Sequence, residues 1–350
     1  MTRIRISLVG DVLIHQSLLK KVEEKDNYTY YSHFHEIAPL IQEADVSGAN
    51  LESITAGAEY GLSGYPKFNA PVQLLDGLQE SGFGLLNVAN NHMLDKGEKA
   101  LLASLTNIQE KGLQYVGASP DSSVSTPGRI INVGGVKIGF VSFTDGAKLR
   151  LNLIDKSQVN YFPGQSEPIN MIRKLNPIKK ALAEIKEEVD FLVLQLHFGE
   201  EYLRFPSAFQ REMVAALCET GVDVIVGHHP HVLQPSEWIE NSRGKNVLVM
   251  YSVGNFFSGQ LGIHRQIGGI FSVEFEAQEA EGKRVISDVT PDLVLTFVDH
   301  KADYRVRPLE TVVRERKRIM SAGHGLVDSA ALIGRVKEHA TTYIPNLKVQ

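Results

Sequence analysis

Apolar and polar positions along this chain follow two rhythms. The stretch "RIRISLVG" (3–10) alternates and then turns wholly apolar, as a strand does on entering a covered sheet. "DVSGANL" (45–51), "FGLLNVA" (83–89) and "LQYVGA" (113–118) predict further strands, the last one following Gly112, a helix stop. Helical spacing over 97–111, 170–188 and 205–220 predicts three helices. "GRIINVGGVKIGFVSFT" (128–144) predicts a hairpin turning at its paired glycines. "VDFLVLQLHFG" (189–199), "VDVIVG" (222–227) and "NVLVMYSVGN" (246–255) are continuous apolar runs, expected of strands covered on both faces. From about 266 the β segments lengthen, in "GGIFSVEFEA" and "DVTPDLVLTFVDH", with the polar turn "QEAEGKR" between them. The tail from about 309 reads as helical and charged. Together these elements predict an α/β layered sandwich, its central β-sheet structure buried and flanked by helices. A body over residues 1–300 and a helical extension over 301–350 are the expected division.

The polar residues collect where strands end. "SLVGD" ends in Asp11, with His15 shortly after, and "GANLE" ends in Asn50 and Glu52. "NVANNHMLDKG" places Asn90, Asn91, His92 and Asp95 behind a strand, and "LQLHFGEEY" places His197 and Glu200 likewise. "VIVGHHPHV" crowds three of the twelve histidines into four positions. Ligands of open α/β sheets bind outside the carboxyl ends of the strands, so these groups can converge although remote in sequence. Carboxylate, amide and imidazole together suit borderline divalent ions such as Mn²⁺, Fe²⁺ and Zn²⁺. Two such ions sharing a carboxylate would activate a water and clamp both oxygens of a phosphoryl displacement. His229 and His231, either side of Pro230, can each address a different ion. A single histidine at a strand end is ordinarily a hydrogen-bonded core or surface residue; it is the joint occurrence that argues for a metal. "HFH" (33–35) is expected to pack at the surface, and Trp238 and His264 carry no claim.

Composition narrows the function classes. The 350 residues are 43% hydrophobic and 22% charged, enough for a sizeable core. Lys plus Arg number 36 against 41 Asp plus Glu, a formal net charge of −5, which argues against broad nucleic-acid binding. The one cysteine, Cys218, lies among apolar neighbours as a core thiol, so a thiolate zinc knot is excluded. No apolar stretch approaches a membrane span, and the N-terminus reads as a strand. The chain is expected to be soluble, either cytoplasmic or, after removal of a leader or anchor, extracytoplasmic.

The order "GD…NLE…NNH…H-aromatic-GEEY…GHHPHV…YSVGNFF" resembles the CapA/PgsA-type proteins of bacterial capsule and poly-γ-glutamate synthesis, a branch of the calcineurin-like metallophosphoesterases. "YVGA" (115–118) and "KIGFVSFTDG" (137–146) fit it as well, and the resemblance runs from about residue 4 to about 275. It implies a metallophosphoesterase-like sandwich and a dinuclear divalent-metal centre. Asp11 resembles the first-strand ligand, counted among the catalytic residues too, and Glu52 stands where related enzymes have a bridging Asp. Asn91 resembles the amide ligand of the second metal, and His92 the acid that protonates a leaving oxygen. His197 resembles the next strand's ligand, and His229 and His231 the paired terminal histidines, with His228 an alternative for the first. Two departures stand out: Leu13 replaces the histidine of the usual Asp-x-His, leaving His15 as a substitute, and Glu replaces the bridging Asp.

The resemblance implies a metal-dependent hydrolase in which metal-activated water attacks a phosphoryl or acyl centre. A non-catalytic polyanion-binding component of capsule assembly or export is the alternative, and a small-substrate cytoplasmic phosphoesterase a third reading. An anionic substrate, phosphoester or poly-γ-glutamate, and capsule synthesis or export proteins are the implied partners. Lys67 in "YPKFNAP", Arg204 in "EEYLRFP" and Arg265 in "GIHRQIGG" lie in turn-rich segments that could rim the pocket and grip an anion.

Overall fold

The computed structural model describes residues 2–23, 29–120, 128–147, 149, 159–164, 166, 169–280, 283–321 and 325–350. Its core is two large sheets. The first has the order β15 (Arg305–Pro308), β14 (Lys283–Asp299), β13 (Ile267–Ala280), β1 (Thr2–Leu13), β2 (Val46–Leu51), β3 (Leu85–Asn87), β4 (Gln114–Val116). In it β12 (Asn255–Ser258) also pairs with β1, and β18 (Lys348–Val349) with β14. The second has the order β10 (Ser236–Glu240), β11 (Asn246–Met250), β9 (Val224–His228), β8 (Phe191–His197), β6 (Val136–Asp145), β5 (Arg129–Val133), with β7 (Tyr161–Phe162) beside β6. Strands β1 to β4 are mutually parallel, as are β11, β9, β8 and β6.

The alternation in the sequence explains the layering. Ile4, Ile6 and Leu8 of β1 point inward and share one core with Ile138, Phe140, Phe191, Val193, Val224 and Val226 of the second sheet. Phe191 and Phe275 stack across the two sheets at a centroid distance of 4.1 Å. The opposite face of the first sheet, with Val9, Val12, Leu51 and Leu86, is covered by helices α1 (Gln16–Glu23), α2 (Tyr31–Phe34), α3 (Ala38–Gln42), α4 (Gln73–Glu80) and α5 (Glu98–Glu110). The outer face of the second, with Val141, Leu194, Ile225 and Val249, lies under α6 (Met171–Lys186) and α7 (Ala208–Cys218). Apolar runs such as "FLVLQLH" are continuous because both of their faces are covered. The chain is thus a layered α/β sandwich, helices outside and sheets within, as expected.

The buried central β-structure is two sheets, the second beginning with the hairpin β5–β6. Several local expectations are corrected. The run 246–255 is not one strand. It stops at Met250, turns at Gly254 (φ +74°), and Asn255–Ser258 crosses to pair with β1 of the other sheet. The tail is only partly helical. Besides α8 (Leu309–Glu315) and α9 (Ser329–Ala340) it holds β15, β18 and a small hairpin of β16 (Arg318–Ser321) and β17 (Gly325–Asp328). Leu309, Val312, Leu332 and Val336 join the inter-sheet core. His33 is buried instead of superficial, its ring 5.1 Å from that of Phe257, while His35 is exposed. The turn "QEAEGKR" lies partly outside the described residues, at 281–282.

Candidate metal centre

The carboxyl ends of the parallel strands of both sheets meet at one edge of the sandwich. Asp11 comes at a register shift near the end of β1, where its N–H donates to Gly254 O at 3.0 Å. Gly10 permits that approach: a Cβ there would lie 1.7 Å from the same carbonyl oxygen. Asn50 and Glu52 close β2. The turn after β3 is fixed by Asn90, whose amide donates to Leu51 O (2.8 Å) while its Oδ1 accepts from His92 N (3.1 Å). His197 ends β8 and His228 ends β9. His229 and His231 then adopt left-handed backbone, φ +96° and +58°, a conformation that costs a non-glycine residue on the order of 1–3 kcal/mol. Strain of this kind persists only where surrounding structure imposes it.

The polar atoms converge. His197 Nε2 lies 2.8 Å from Asn91 Oδ1, 3.1 Å from His229 Nδ1 and 3.4 Å from Glu52 Oε1. His231 Nδ1 lies 2.9 Å from Asp11 Oδ2, and its Nε2 3.7 Å from Glu52 Oε1. Two groups follow, Glu52–His197–His229 and Asp11–Glu52–His231, each offering ligand atoms within 4.8 Å of one another, with Glu52 common to both. A third, Glu201–His229–His231, reaches the exposed side. Apart from Glu201 and the half-buried Asn91, these residues are buried.

Electrostatics argue for a cation here. Both carboxylate oxygens of Glu52 are buried without a hydrogen-bond partner. Burial, then Asp11, Glu201 and Asp95, pushes its carboxyl well above the ordinary range. Burial, then His229, His228, His231 and His92, holds His197 well below the usual imidazole value. An uncompensated buried charge is among the costliest features a fold can carry, and a cation between carboxylates and neutral imidazoles removes that cost. The donors are oxygen and imidazole nitrogen, while Cys218, the last residue of α7, lies in the outer core, so the set fits a borderline divalent ion.

The remaining expected residues fall around this cluster. His92 Nδ1 pairs with Asp95 Oδ2 at 2.7 Å, and Asp95 also accepts from Phe68 N at 2.7 Å. A carboxylate at Nδ1 fixes the ring so that Nε2 is left for other work. His15 is in none of the three groups. It sits between Leu13 O (3.2 Å) and Gly259 N (3.3 Å), and burial lowers it to about 4. His228 turns Nε2 to Gln195 (3.3 Å), with Nδ1 3.7 Å from Asp11 Oδ1; burial brings it down to about 4. Arg265 lies over the Tyr202 ring at 3.9 Å, and that ring is 6.1 Å from His231. Lys67 is exposed on the loop that delivers Phe68 to the His92 ring. Arg204 instead faces Arg335 and His339 of α9.

Some contributors escaped the sequence reading. Glu201, not Glu200, joins the centre. Asn255 reaches His231 Nδ1 at 3.2 Å, and Asn87 donates to Asn50 Oδ1 at 3.0 Å while accepting from Ser142 of the second sheet. Asn50 in turn donates to Asp11 Oδ1 at 2.7 Å. The only available signal was their place within or just beyond strand ends already known to carry ligands.

Fold and site together define a layered α/β protein with a buried carboxylate–imidazole centre at the shared edge of its two sheets. Residues 5–260 match the family described as bacterial capsule synthesis protein PGA_cap, and the chain belongs to that family. It is 31% identical over 264 residues to capsule biosynthesis protein CapA of Bacillus anthracis, covering 74% of this chain and 60% of that protein. It is 29% identical over 260 residues to PGA biosynthesis protein CapA of Bacillus subtilis (strain 168), covering 73% and 63%. The chain therefore corresponds to less than two thirds of the length of these relatives. Among solved structures, a hypothetical protein from Thermus thermophilus aligns with TM-score 0.46 at 15% identity, over 83% of this chain and 99% of that one. A Staphylococcus aureus protein described as a putative 5'-nucleotidase, solved with alpha-ketoglutarate, aligns with TM-score 0.49 at 15% identity, over 83% and 54%. Among the described residues no helix is long and apolar enough to cross a membrane.

Proposed function

We propose that the chain is a metal-dependent hydrolase, phosphoesterase-like in its chemistry and acting in capsule or poly-γ-glutamate metabolism, with water attacking a phosphoryl or acyl centre of an anionic substrate. One observation carries the reading: the unpartnered Glu52 carboxylate stands between His197 and His231, at 3.4 and 3.7 Å, where two ligand groups meet. In this reading Asp11, Glu52 and His231 would hold one divalent ion, and Asn91, His197 and His229 a second, with Glu52 shared. Such ions, when bound, supply Lewis acidity and an acidified water. The chain's own residues do the rest. Asp95 keeps the proton of His92 Nδ1 in place and so presents Nε2 to a departing oxygen. Asn50 and Asn255 hold Asp11 and His231 in register. Arg265 and Lys67, with Arg204 further out beside α9, offer positive charge to the rest of a polyanion.

The test is metal analysis of the purified chain joined to a hydrolysis panel of a phosphomonoester, a phosphodiester and a γ-glutamyl amide. Metal content together with turnover that chelator abolishes and metal restores supports the reading. A metal-loaded chain silent on the panel yet retaining poly-γ-glutamate would make it a binding component of polymer assembly. A chain that takes up no divalent metal would sink both.

A further inference from the structure

The turn after His197 carries an acidic side chain to the open side of the centre. Residues 198–202 are clamped to the histidine turn by two backbone hydrogen bonds, Phe198 N to His228 O (3.1 Å) and Tyr202 N to Pro230 O (2.8 Å). Gly199 (φ +93°) and Tyr202 (φ +67°) are both left-handed, so the turn is compact and its course is imposed by these clamps. Between them lies Glu201, exposed, with a carboxylate oxygen within 4.8 Å of ligand nitrogens of His229 and His231. Its charge acts on the adjacent Tyr202, whose hydroxyl is pushed up to about 12 by burial and then by Glu201, and whose ring is covered by the Arg265 guanidinium at 3.9 Å. Asp11 and Glu52 are fully buried, which leaves Glu201 as the carboxylate of the three groups that solvent reaches. His92 packs against Phe68.

We infer that Glu201 is a catalytic residue, the base that takes the proton of the attacking water; this rests on the hydrolytic reading above. As the water oxygen forms its bond to phosphorus or acyl carbon, one of its O–H bonds breaks and the proton passes to a Glu201 oxygen. The bond to the departing oxygen or nitrogen then breaks, its electron pair leaving with that atom, which takes a proton from His92 Nε2. Glu201 returns its proton to His92 through solvent, so both groups end as they began and no redox partner is involved. Its exposure suits a group that must exchange protons with solvent.

The test compares metal-loaded wild type, E201Q and E201D, with H229A as a ligand control. Metal per chain, affinity for inorganic phosphate and kcat/KM on a chromogenic phosphodiester are measured for each. E201Q is expected to keep its metal and to bind phosphate as tightly as wild type or more so, one negative charge having gone. Its kcat/KM should fall about 10²–10⁴-fold, the range for losing a general base, with E201D recovering part of the rate. Metal lost in step with rate, as in H229A, would make Glu201 a ligand and overturn the inference. An active wild type with an equally active E201Q would overturn it while leaving the hydrolytic reading intact. A metal-loaded wild type without turnover would bring down that reading, and the base with it.

Discussion

Replacing Glu52 with Gln should raise the stability of the metal-free protein and abolish the stabilisation that metal gives. In the absence of metal, Glu52 is a fully buried carboxylate without a hydrogen bond, beside Asp11. Removing an uncompensated buried charge of this kind recovers about 1–3 kcal/mol. At about 2.1 cal/mol/K per residue, a chain of 350 residues unfolds with roughly 0.7 kcal/mol per degree. The chelated variant should therefore melt about 1–4 °C above chelated wild type. Metal at about 100 times Kd adds about 2.7 kcal/mol, or about 4 °C, to wild type. If loss of the shared ligand weakens affinity about 100-fold, roughly 0.4 kcal/mol remains, less than about 1 °C. The pH dependence has a definite sign. Because the folded pKa of Glu52 is raised above 4.5, its contribution to stability is present below 4.5 and is lost as pH rises toward the folded value. Chelated wild type should thus lose stability relative to E52Q as pH rises above 4.5. Calorimetry with chelator and with Mn²⁺ over a pH series starting there reads all four quantities. An E52Q protein that melts lower without metal, yet keeps the wild-type metal shift, would refute the argument.

Other perturbations separate ligands from neighbours. His92→Ala should leave metal content nearly unchanged and lower turnover about 10²–10⁴-fold, whereas His197→Ala should lose metal as well; equal metal loss in both would make His92 a ligand. Arg265→Glu should weaken poly-γ-glutamate binding more at low salt than at high, and more than Lys67→Glu or Arg204→Glu does, because Arg265 stands over Tyr202 beside His231. Binding that ignores all three reversals at every salt would remove the polyanion from the proposal. Gly10→Ala drives a Cβ into the Gly254 carbonyl, so it should destabilise the chain by about 1–3 kcal/mol and displace Asp11; unaltered melting and metal uptake would contradict the packing.

What the sequence could disclose followed from what repeats along it. Covered parallel strands are continuous apolar runs, so β8 and β9 were legible, and with them the places where His197, His229 and His231 emerge. The turn after β3 was legible for the same reason. Which strand belongs to which sheet was not, because pairing partners such as Asp11 and Asn255 lie far apart in sequence and the hydrophobic pattern of a strand does not name its neighbour. The same ignorance hid His33, whose burial depends on Phe257. Glu201 was hidden differently. Side by side, Glu200 and Glu201 are equivalent as letters, and the left-handed Tyr202 and its hydrogen bond to Pro230 O distinguish them. Rim cations follow no period at all, so Arg204 and Arg265 looked alike until one was found facing α9 and the other Tyr202.

The division of the ligands between the sheets gives the architecture its chemical sense. Asp11 and Glu52 issue from strands of the first sheet, and Asn91 from the turn after its β3; they bring carboxylates and an amide. His197, His229 and His231 all issue from β8 and β9 of the second, and they bring imidazoles. Both buried groups that could hold an ion, Glu52–His197–His229 and Asp11–Glu52–His231, span the two sheets. The sheets meet mainly through apolar contacts such as Phe191 against Phe275, which have little directional preference and do not by themselves fix atoms to tenths of an ångström. Direction is supplied at the edge instead, by Ser142 of the second sheet bonded to Asn87 of the first, and by Asn255, which arrives on β1 after the chain has crossed over. A buried cation there would add a further tie between the two sheets, strongest where the strained His229–His231 turn needs support. The strained His229–His231 turn and the unpartnered Glu52 carboxylate meet at this same edge, 3.7 Å apart at His231 Nε2.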